Sequence, residues 1–255
     1  MTDNLSTFNS HPSYAPQHLW SDPTTVYDRR MVEIRRSILC KRGDGKDVVD
    51  LCCGSGAYLV PMLDRVKSAV GIDFSASMLD GFLQQLHGVI PPQLKLMKAD
   101  ATSLPLPDAS TDFLFSFTSL YYIPRVDLAI REIARVLRPG GIASVELGNL
   151  LSLNTLIANG YSAELGWAKS HHITVRKMRE YIQQAGLTVT EWRSFQLSPM
   201  YGVPRRHLWL YPVAHPRWKA LLGMQIRGRM LDEWVSSAWF LRSFAFRHLI
   251  TVRKP

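Results

Sequence analysis

Three carboxylates stand where they could accept hydrogens from a ligand. Asp50, Asp73 and Asp100 each close a short apolar run, in VVD, VGID and LKLMKAD. An ionised carboxylate only accepts hydrogen bonds, so it takes hydroxyl or amino hydrogens and offers none back. Directly behind the first stands Leu51-Cys52-Cys53-Gly54-Ser55-Gly56. Glycines at such a place supply φ > 0, or a backbone bare enough to touch a ligand. A buried strand, a glycine turn and a helix form the mononucleotide-binding unit of open α/β sheets, with the ligand beyond the strand's carboxyl end. Leu59, Met62 and Leu63 begin the apolar pattern expected of that helix, whose first N–H groups would lie beside the turn. The dinucleotide fingerprint G-x-G-x-x-G is incomplete, because Leu59 stands where its third glycine belongs.

Other residues could handle a proton. His171 and His172 precede a helical pattern late in the chain, and histidine ordinarily titrates near neutral pH, which suits a general base. A capping or loop-packing role is the plainer alternative. Tyr121 and Tyr122 follow an apolar strand and either line an acceptor pocket or pack as loop aromatics. Glu146 and Asn149 stand at the end of a later strand, where they contact an acceptor or build a turn.

Positioning these residues takes alternating strands and helices. The strands predicted from apolar runs lie at Val48–Asp50, Ser68–Asp73, Leu94–Lys98, Phe113–Phe117, Ile142–Leu147, Leu187–Leu197 and Phe246–Val252. Between them, Ser75 caps a helix striped by Met78, Leu79, Phe82, Leu83 and Leu86. Val126, Ile130, Ile133 and Leu137 stripe another, stopped by Pro139 and Gly140-Gly141. Thr174 caps a third, with Val175, Met178 and Ile182 on one face and Gly186 at its end. Ahead of the first strand, Thr24 or Thr25 caps a helix running to about Cys40. Residues 1 to about 23 are polar and proline-bearing, and read as a loose arm.

Composition narrows the class. The chain has 255 residues, 46% apolar and 20% charged, which is the make-up of a soluble globular protein. Its three cysteines (Cys40, Cys52, Cys53) have neither C-x-x-C spacing nor an even number, arguing against a disulfide framework or zinc site. With a polar N-terminus and no apolar run of membrane-spanning length, a cytoplasmic protein is expected. The net charge of +9 is unevenly placed. Residues 1–150 hold fifteen Lys/Arg and sixteen Asp/Glu, whereas residues 151–255 hold fifteen and five. The basic C-terminal part suggests an anionic substrate, a membrane surface that the protein binds peripherally, or nucleic acid; a solvated basic face is the alternative. Residues 199–241 carry four tryptophans and an arginine-rich pattern predicting one amphipathic helix from Pro216 to Val235. Such a helix lies on a membrane interface or packs on the domain.

The string Asp50-Leu51-Cys52-Cys53-Gly54-Ser55-Gly56 resembles the first signature of the class I S-adenosylmethionine (SAM) methyltransferases, with Cys52 in place of the first glycine. GIDFSASML after it, Ala99-Asp100-Ala101 before Leu104-Pro105, and Leu137-Arg138-Pro139-Gly140-Gly141 resemble the family's later signatures, in the correct order. The wording is closest to the broad methyltransferase group that includes quinone-biosynthesis enzymes. The resemblance covers about residues 24–198 and the final strand.

That resemblance implies an α/β fold: a doubly wound, Rossmann-like, seven-stranded, mostly parallel sheet with an antiparallel final strand. An N-terminal helical segment and an insertion before the last strand complete it. The expected divisions are an arm and helical cap over 1–46, a SAM-binding core over 47–198 and 242–255, and a basic aromatic insertion over 199–241. SAM is the implied cofactor and S-adenosylhomocysteine (SAH) the product, with no metal. By resemblance Asp73 holds the ribose hydroxyls, Asp100 the adenine amino group, and the Ala101 N–H faces the ring. Tyr27, Asp50, Cys52, Gly54, Gly56, Phe74, Met78 and Phe117 complete the cofactor site. His172, His171 and Tyr121 are the catalytic candidates. Phe117-Thr118-Ser119-Leu120-Tyr121-Tyr122 lacks the [D/N]-P-P-[Y/F] element of nucleic-acid amino-methyltransferases and the acids of metal-dependent catechol enzymes. A small-molecule acceptor is expected, methylated on oxygen, in lipid, quinone, glycan or secondary metabolism. The alternative is a non-catalytic, methyltransferase-like protein that binds SAM or supports a partner, suggested by Cys52. The oligomeric state stays open.

Overall fold

The computed structural model describes Ser6, residues 26–157, Asn159, residues 168–198 and residues 216–255. The expected N-terminal arm, apart from Ser6, lies outside the described residues. So do Thr24, Thr25, the first part of the insertion and Trp209.

Helix α1 spans Val26–Gly43 and leads into strand β1 (Asp47–Leu51). The chain continues through β2 (Ser68–Asp73), α2 (Ala76–Gln85), β3 (Leu94–Lys98) and β4 (Thr111–Ser116). It then forms α3 (Val126–Val136), β5 (Leu137–Gly148), α4 (Val175–Gln184) and β6 (Thr188–Phe195). After the undescribed stretch come α5 (Pro216–Leu222), β7 (Gln225–Ile226), β8 (Arg229–Met230), α6 (Leu231–Ser237) and β9 (Arg247–Arg253). Seven strands make one sheet in the order β3-β2-β1-β4-β5-β9-β6. β1 to β5 pair parallel to their neighbours, whereas β9 pairs antiparallel to both β5 and β6. The last strand of the chain is thus the antiparallel one, inserted between β5 and β6.

The pattern follows from burial. β1 and β4 are central, so Val48, Val49, Leu51, Phe113, Leu114 and Phe115 are all buried on one face or the other. Strands covered on both sides read as continuous apolar runs. On one face, Val49, Leu114 and Val145 pack with Ile130 and Ile133 of α3 and Met178 and Ile182 of α4. On the other, Val48, Phe113 and Phe115 pack with Met31, Ile38 and Leu39 of α1 and Phe82 of α2. The helix starts use the expected caps. The Ser75 hydroxyl accepts from the Met78 N–H at 3.4 Å, and the Thr174 hydroxyl from the Lys177 N–H at 3.3 Å. Each satisfies one of the four N–H groups that a helix leaves unpaired.

Three expectations need correction. The helix predicted from Leu59 is only a 3₁₀ turn, Val60–Met62. Pro61 fits an opening turn but lacks the N–H that a longer helix would need, and β2 begins at Ser68. The Leu137-to-Gly141 stretch does end α3, but it already belongs to β5, with Gly140 at φ 80°. Gly140 donates to the Lys254 carbonyl at 2.9 Å, and Lys254 returns a bond to Gly141 at 3.0 Å, so the C-terminus recruits this stretch into the sheet.

The helix predicted over Pro216–Val235 is two short helices around a hairpin. Arg227 (φ 49°) and Gly228 (φ 76°) turn the chain left-handed between β7 and β8. Two consecutive positive φ values suit a tight hairpin turn and break any helix. The Trp234 indole donates to the Ile226 carbonyl at 2.9 Å, fixing the hairpin to α6. α6 packs on β6 through buried acids. Asp232 accepts from the Tyr27 hydroxyl at 2.7 Å, the Gln196 N–H at 2.7 Å and the Ser236 hydroxyl at 3.1 Å. Glu233 accepts two bonds from the Arg193 guanidinium, at 2.8 and 2.7 Å. Among the described residues no helix is long and apolar enough to cross a membrane.

Removing a carboxylate that collects three donors leaves them buried and under-satisfied, at about 1–3 kcal/mol each at most. Asp232→Ala therefore lowers unfolding stability by about 3 kcal/mol and Tyr27→Phe by about 1 kcal/mol. Urea denaturation measures both.

Candidate active site

Because β1 to β5 run parallel, their carboxyl ends share one edge of the sheet. That edge collects Asp50 and the turn after β1, Asp73 after β2, Asp100 after β3, Ser116 to Thr118 after β4, and Glu146 near the end of β5.

The turn is fixed by β2. The Cys53 N–H donates to the Ile72 carbonyl at 3.0 Å, and the Gly54 N–H to Asp73 Oδ2 at 3.0 Å. Asp73 Oδ1 accepts from the Ser75 N–H at 2.9 Å, so one carboxylate joins the turn to the start of α2. Cys52 takes φ 61°. A residue with a Cβ meets a cost of about 1–2 kcal/mol there. The turn keeps its left-handed conformation at this position, as expected, without glycine.

The two glycines have different tasks. A Cβ added at Gly54 (φ 53°) meets nothing within 4 Å, so this backbone is open to a ligand. A Cβ added at Gly56 meets the Phe82 ring at 2.5 Å. Gly56 supplies the positive φ expected of it (83°) and also makes room for Phe82, which fills the core beneath the turn.

Two carboxyls in this edge are short of positive charge. Asp50 is 3% exposed, and its Oδ2 has no hydrogen-bond partner among the described residues. Burial, and then the neighbouring Asp73 carboxylate, push the Asp50 carboxyl well above the usual range. Burial also raises Asp73, partly offset by the Ser75, Gly54 and Phe74 N–H groups. A cationic ligand would relieve both. SAM carries an ammonium and a sulfonium, so an orphaned buried carboxyl oxygen beside an open glycine backbone fits that group.

Asp100 Oδ1 accepts from the Thr102 N–H at 2.8 Å and the Thr102 hydroxyl at 2.7 Å, which fixes its carboxylate. Ala101 and Met78 are buried and Phe74 is half-buried. Phe117 is buried, packed 5.4 Å from Phe115 and edge-on at 5.3 Å to Tyr58. The next residue, Thr118, adopts φ 59°, a conformation costly for a β-branched side chain. Tyr27 does not fold over this slot. It is 1% exposed, and its hydroxyl is committed to Asp232, so its cofactor assignment is corrected to a strut between α1 and α6.

Beyond Phe117 lies a buried ionic network that the sequence pattern did not announce. Glu146 accepts from Arg35 Nε and Nη2, both at 3.0 Å, and from Arg247 Nη1 at 2.7 Å. Burial opposes its charge, but Arg35 and then Arg247 override that and hold Glu146 below its ordinary range. Arg35 also donates to the Tyr58 hydroxyl at 3.0 Å. Arg247 lies 5.5 Å over the Tyr121 ring. Asn149, by contrast, builds a turn: its amide donates to the Ser243 and Ala245 carbonyls, both at 2.8 Å.

The histidine pair joins this side. The His171 N–H donates to the Tyr121 carbonyl at 2.6 Å, and the His172 and Tyr121 rings lie 5.7 Å apart. The Thr155 hydroxyl donates its only hydrogen to the Asn149 carbonyl at 2.5 Å, while its oxygen lies 3.0 Å from His172 Nδ1. Nδ1 must therefore be the donor, which leaves the Nε2 lone pair as the acceptor. Nε2 is buried with no partner among the described residues. Among the described residues no three metal-ligating side chains converge.

Residues 49–145 match the methyltransferase domain family model. That stretch carries a methyltransferase domain. A demethylmenaquinone methyltransferase from Bacillus cereus (strain B4264) is 24% identical over 236 residues, covering 83% of this chain and 92% of that protein. The magnesium protoporphyrin IX methyltransferase of Synechocystis PCC 6803, solved with bound SAH, superposes with a TM-score of 0.64 at 12% identity over 100% of this chain and 99% of its own. An S-adenosylmethionine dependent methyltransferase from Mesorhizobium loti gives 0.60 at 17% identity, over 88% and 98%. At these identities the two structures establish the fold.

One electrostatic expectation for this methyltransferase is corrected. His172 does not titrate near neutral pH: burial first, then Arg247 and His171, lower it from 6.5 to about 4. Between those two pH values the unfolded chain binds the proton and the folded one does not. This site's contribution to stability is complete above about pH 6.5 and is lost as pH falls toward 4. Urea midpoints of wild type and His172→Gln, compared across that range, will show the steeper acid loss in wild type.

The glycines give a second contrast. Gly56→Ala forces Phe82 out of place and costs about 2–4 kcal/mol of stability. Gly54→Ala costs about 1 kcal/mol but weakens SAM binding more than tenfold, as its methyl enters the open face. Thermal melts and SAM titration separate the two.

Proposed function

We propose that this methyltransferase transfers the SAM methyl group to the oxygen of a small-molecule acceptor, in lipid, quinone, glycan or secondary metabolism. The observation that carries this reading is the pair of buried, under-compensated carboxyls at Asp50 and Asp73 beside the open backbone of Gly54. It favours a cationic nucleoside at that edge of the sheet. Asp73 would accept from the ribose hydroxyls, Asp100 from the adenine amino group, and the Ala101 N–H would face the ring. Asp50, Cys52, Gly54, Phe74, Met78 and Phe117 would line the rest, with Gly56 supporting the turn from below.

When bound, SAM supplies an electrophilic methyl on sulfur. The protein's task is alignment in a dry pocket, which recovers about 7–11 kcal/mol of barrier when the reactants are well oriented. Tyr121 and Phe117 supply apolar walls on the acceptor side. His172 Nε2 would accept the hydrogen bond of the acceptor hydroxyl. As the oxygen commits a lone pair to the methyl, its proton becomes strongly acidic, and a base titrating near 4 suffices to take it. His171 would act through its backbone bond to the Tyr121 loop and by lowering His172. The name of the Bacillus relative supports testing quinones first.

The non-catalytic reading rests on Cys52, and the left-handed turn that Cys52 maintains supports the enzyme reading instead.

Calorimetric titration of SAM against wild type, Asp73→Ala and Asp100→Ala is the direct test. A lost charge-assisted hydrogen bond weakens binding by about 10- to 100-fold. Equal binding by all three would remove the ribose and adenine assignments. With methyl-labelled SAM and a hydroxylated quinone, activity will show no ionisation near pH 6.5 assignable to His172, and His172→Phe will lower kcat more than KM.

A further inference from the structure

α4 and the segment after α6 form a cleft of about 760 Å³, lined by Arg176, Arg179, Arg242 and Trp239. None of the three arginines forms an ion pair with a carboxylate among the described residues, although Glu180 lines the same cleft. Arg179 lies 4.9 Å over the Trp192 ring, and Arg242 donates to the Ser237 carbonyl at 3.3 Å. The Nε of Arg242 is buried without a partner. Elsewhere the protein neutralises its inward arginines, as at Arg193–Glu233 and Arg247–Glu146. In this cleft it leaves like charges together.

Trp239 in the cleft wall begins a short run of exposed aromatics. Trp239 is 87% exposed, and Phe240, its ring 5.8 Å away, and Phe244 are 57% and 52% exposed. Isolated apolar side chains on a surface need no explanation, but the exposed Trp239–Phe240 pair, with Trp239 lining a cleft of arginines that lack a carboxylate partner, does. Guanidinium groups grip phosphate through a planar fork, and tryptophan settles at the headgroup level of a bilayer.

We propose that this cleft docks the protein on an anionic phospholipid surface, with the lipid phosphate between Arg176, Arg179 and Arg242 and the Trp239, Phe240 and Phe244 side chains in the interface. The contact differs from the Pro216–Val235 helix suggested by the sequence, because the Trp234 indole is committed to the hairpin. The orientation matters for the acceptor. The Asn149 amide ties Ser243 and Ala245 to the segment after β5, where Leu150 and Leu151 and, in the helical turn that follows, Leu156 are also exposed. Docking through the cleft brings the acceptor side of the sheet edge to the bilayer, where a lipophilic acceptor resides.

The test is co-sedimentation of the full chain with vesicles of phosphatidylcholine alone and of phosphatidylcholine with phosphatidylglycerol. Wild type is expected to pellet with the anionic vesicles only. Neutralising Arg176, Arg179 and Arg242 to Gln should lower partitioning by about fivefold for each residue. Trp239→Ala with Phe240→Ala should lower it even at raised ionic strength, where the electrostatic part is screened. Arg176, Arg179, Trp239 and Phe240 are exposed and Arg242 is half-buried, and SAM binding by the variants, expected to be unchanged, reports their folding independently of docking. No pelleting of wild type, or equal pelleting of the arginine variant, overturns the proposal. Release by free inorganic phosphate together with wild-type binding by the aromatic variant also overturns it, by assigning the cleft to a soluble anion.

Discussion

The structure depends on how one turn is held. The backbone after β1 must leave the sheet, reverse and pass over α2, and β2 supplies both anchors. The Ile72 carbonyl receives the Cys53 N–H, and the Asp73 carboxylate receives the Gly54 N–H while also capping the approach to α2. Phe82 then closes the turn from below, in the space that Gly56 leaves. Strand order, helix position and ligand-facing backbone are therefore one construction. Nothing in it is spare: the carboxylate that faces the site also holds the turn together.

The edge built around this turn has two electrostatic halves. On the β1–β2 side, burial raises both the Asp50 and Asp73 carboxyls, and the neighbouring Asp73 carboxylate raises Asp50 further. On the β5–β9 side, Glu146 receives bonds from two guanidiniums and is held ionised despite complete burial. Taking charges out of water is costly unless geometry and hydrogen bonds compensate. The first half lacks that compensation within the protein and suits a cationic ligand. The second contains it and serves as a rigid wall, carrying Tyr58 and Tyr121 at fixed distances.

The basic character of the C-terminal part divides in the same way. Arg193 and Arg247 are structural, each bound to a buried glutamate. Arg176, Arg179 and Arg242 face one cleft beside exposed aromatics. A formal count of charges does not distinguish the two groups, because the partners Glu146 and Glu233 are distant in sequence from one or both of their arginines.

The sheet was legible in the chain because its signals are local. Apolar runs ending in Asp50 and Asp73, the caps at Ser75 and Thr174, and the stop after α3 each depend on residues a few positions apart. The order of the signatures identified the cofactor class for the same reason. Local signals failed where another local feature, or a neighbour in space, decided the matter. Pro61 and the nearby start of β2 cut the predicted helix to one turn, and the left-handed pair Arg227-Gly228 folded another into a hairpin. Tertiary contacts alone turned Tyr27 toward Asp232, buried His172 until it lost its neutral titration, and joined Arg35, Glu146 and Arg247 across more than a hundred residues. Sequence determined which groups the chain possesses and which strand ends carry them. Burial and long-range pairing, which only the folded chain creates, decided which of those groups stay charged and which face a ligand.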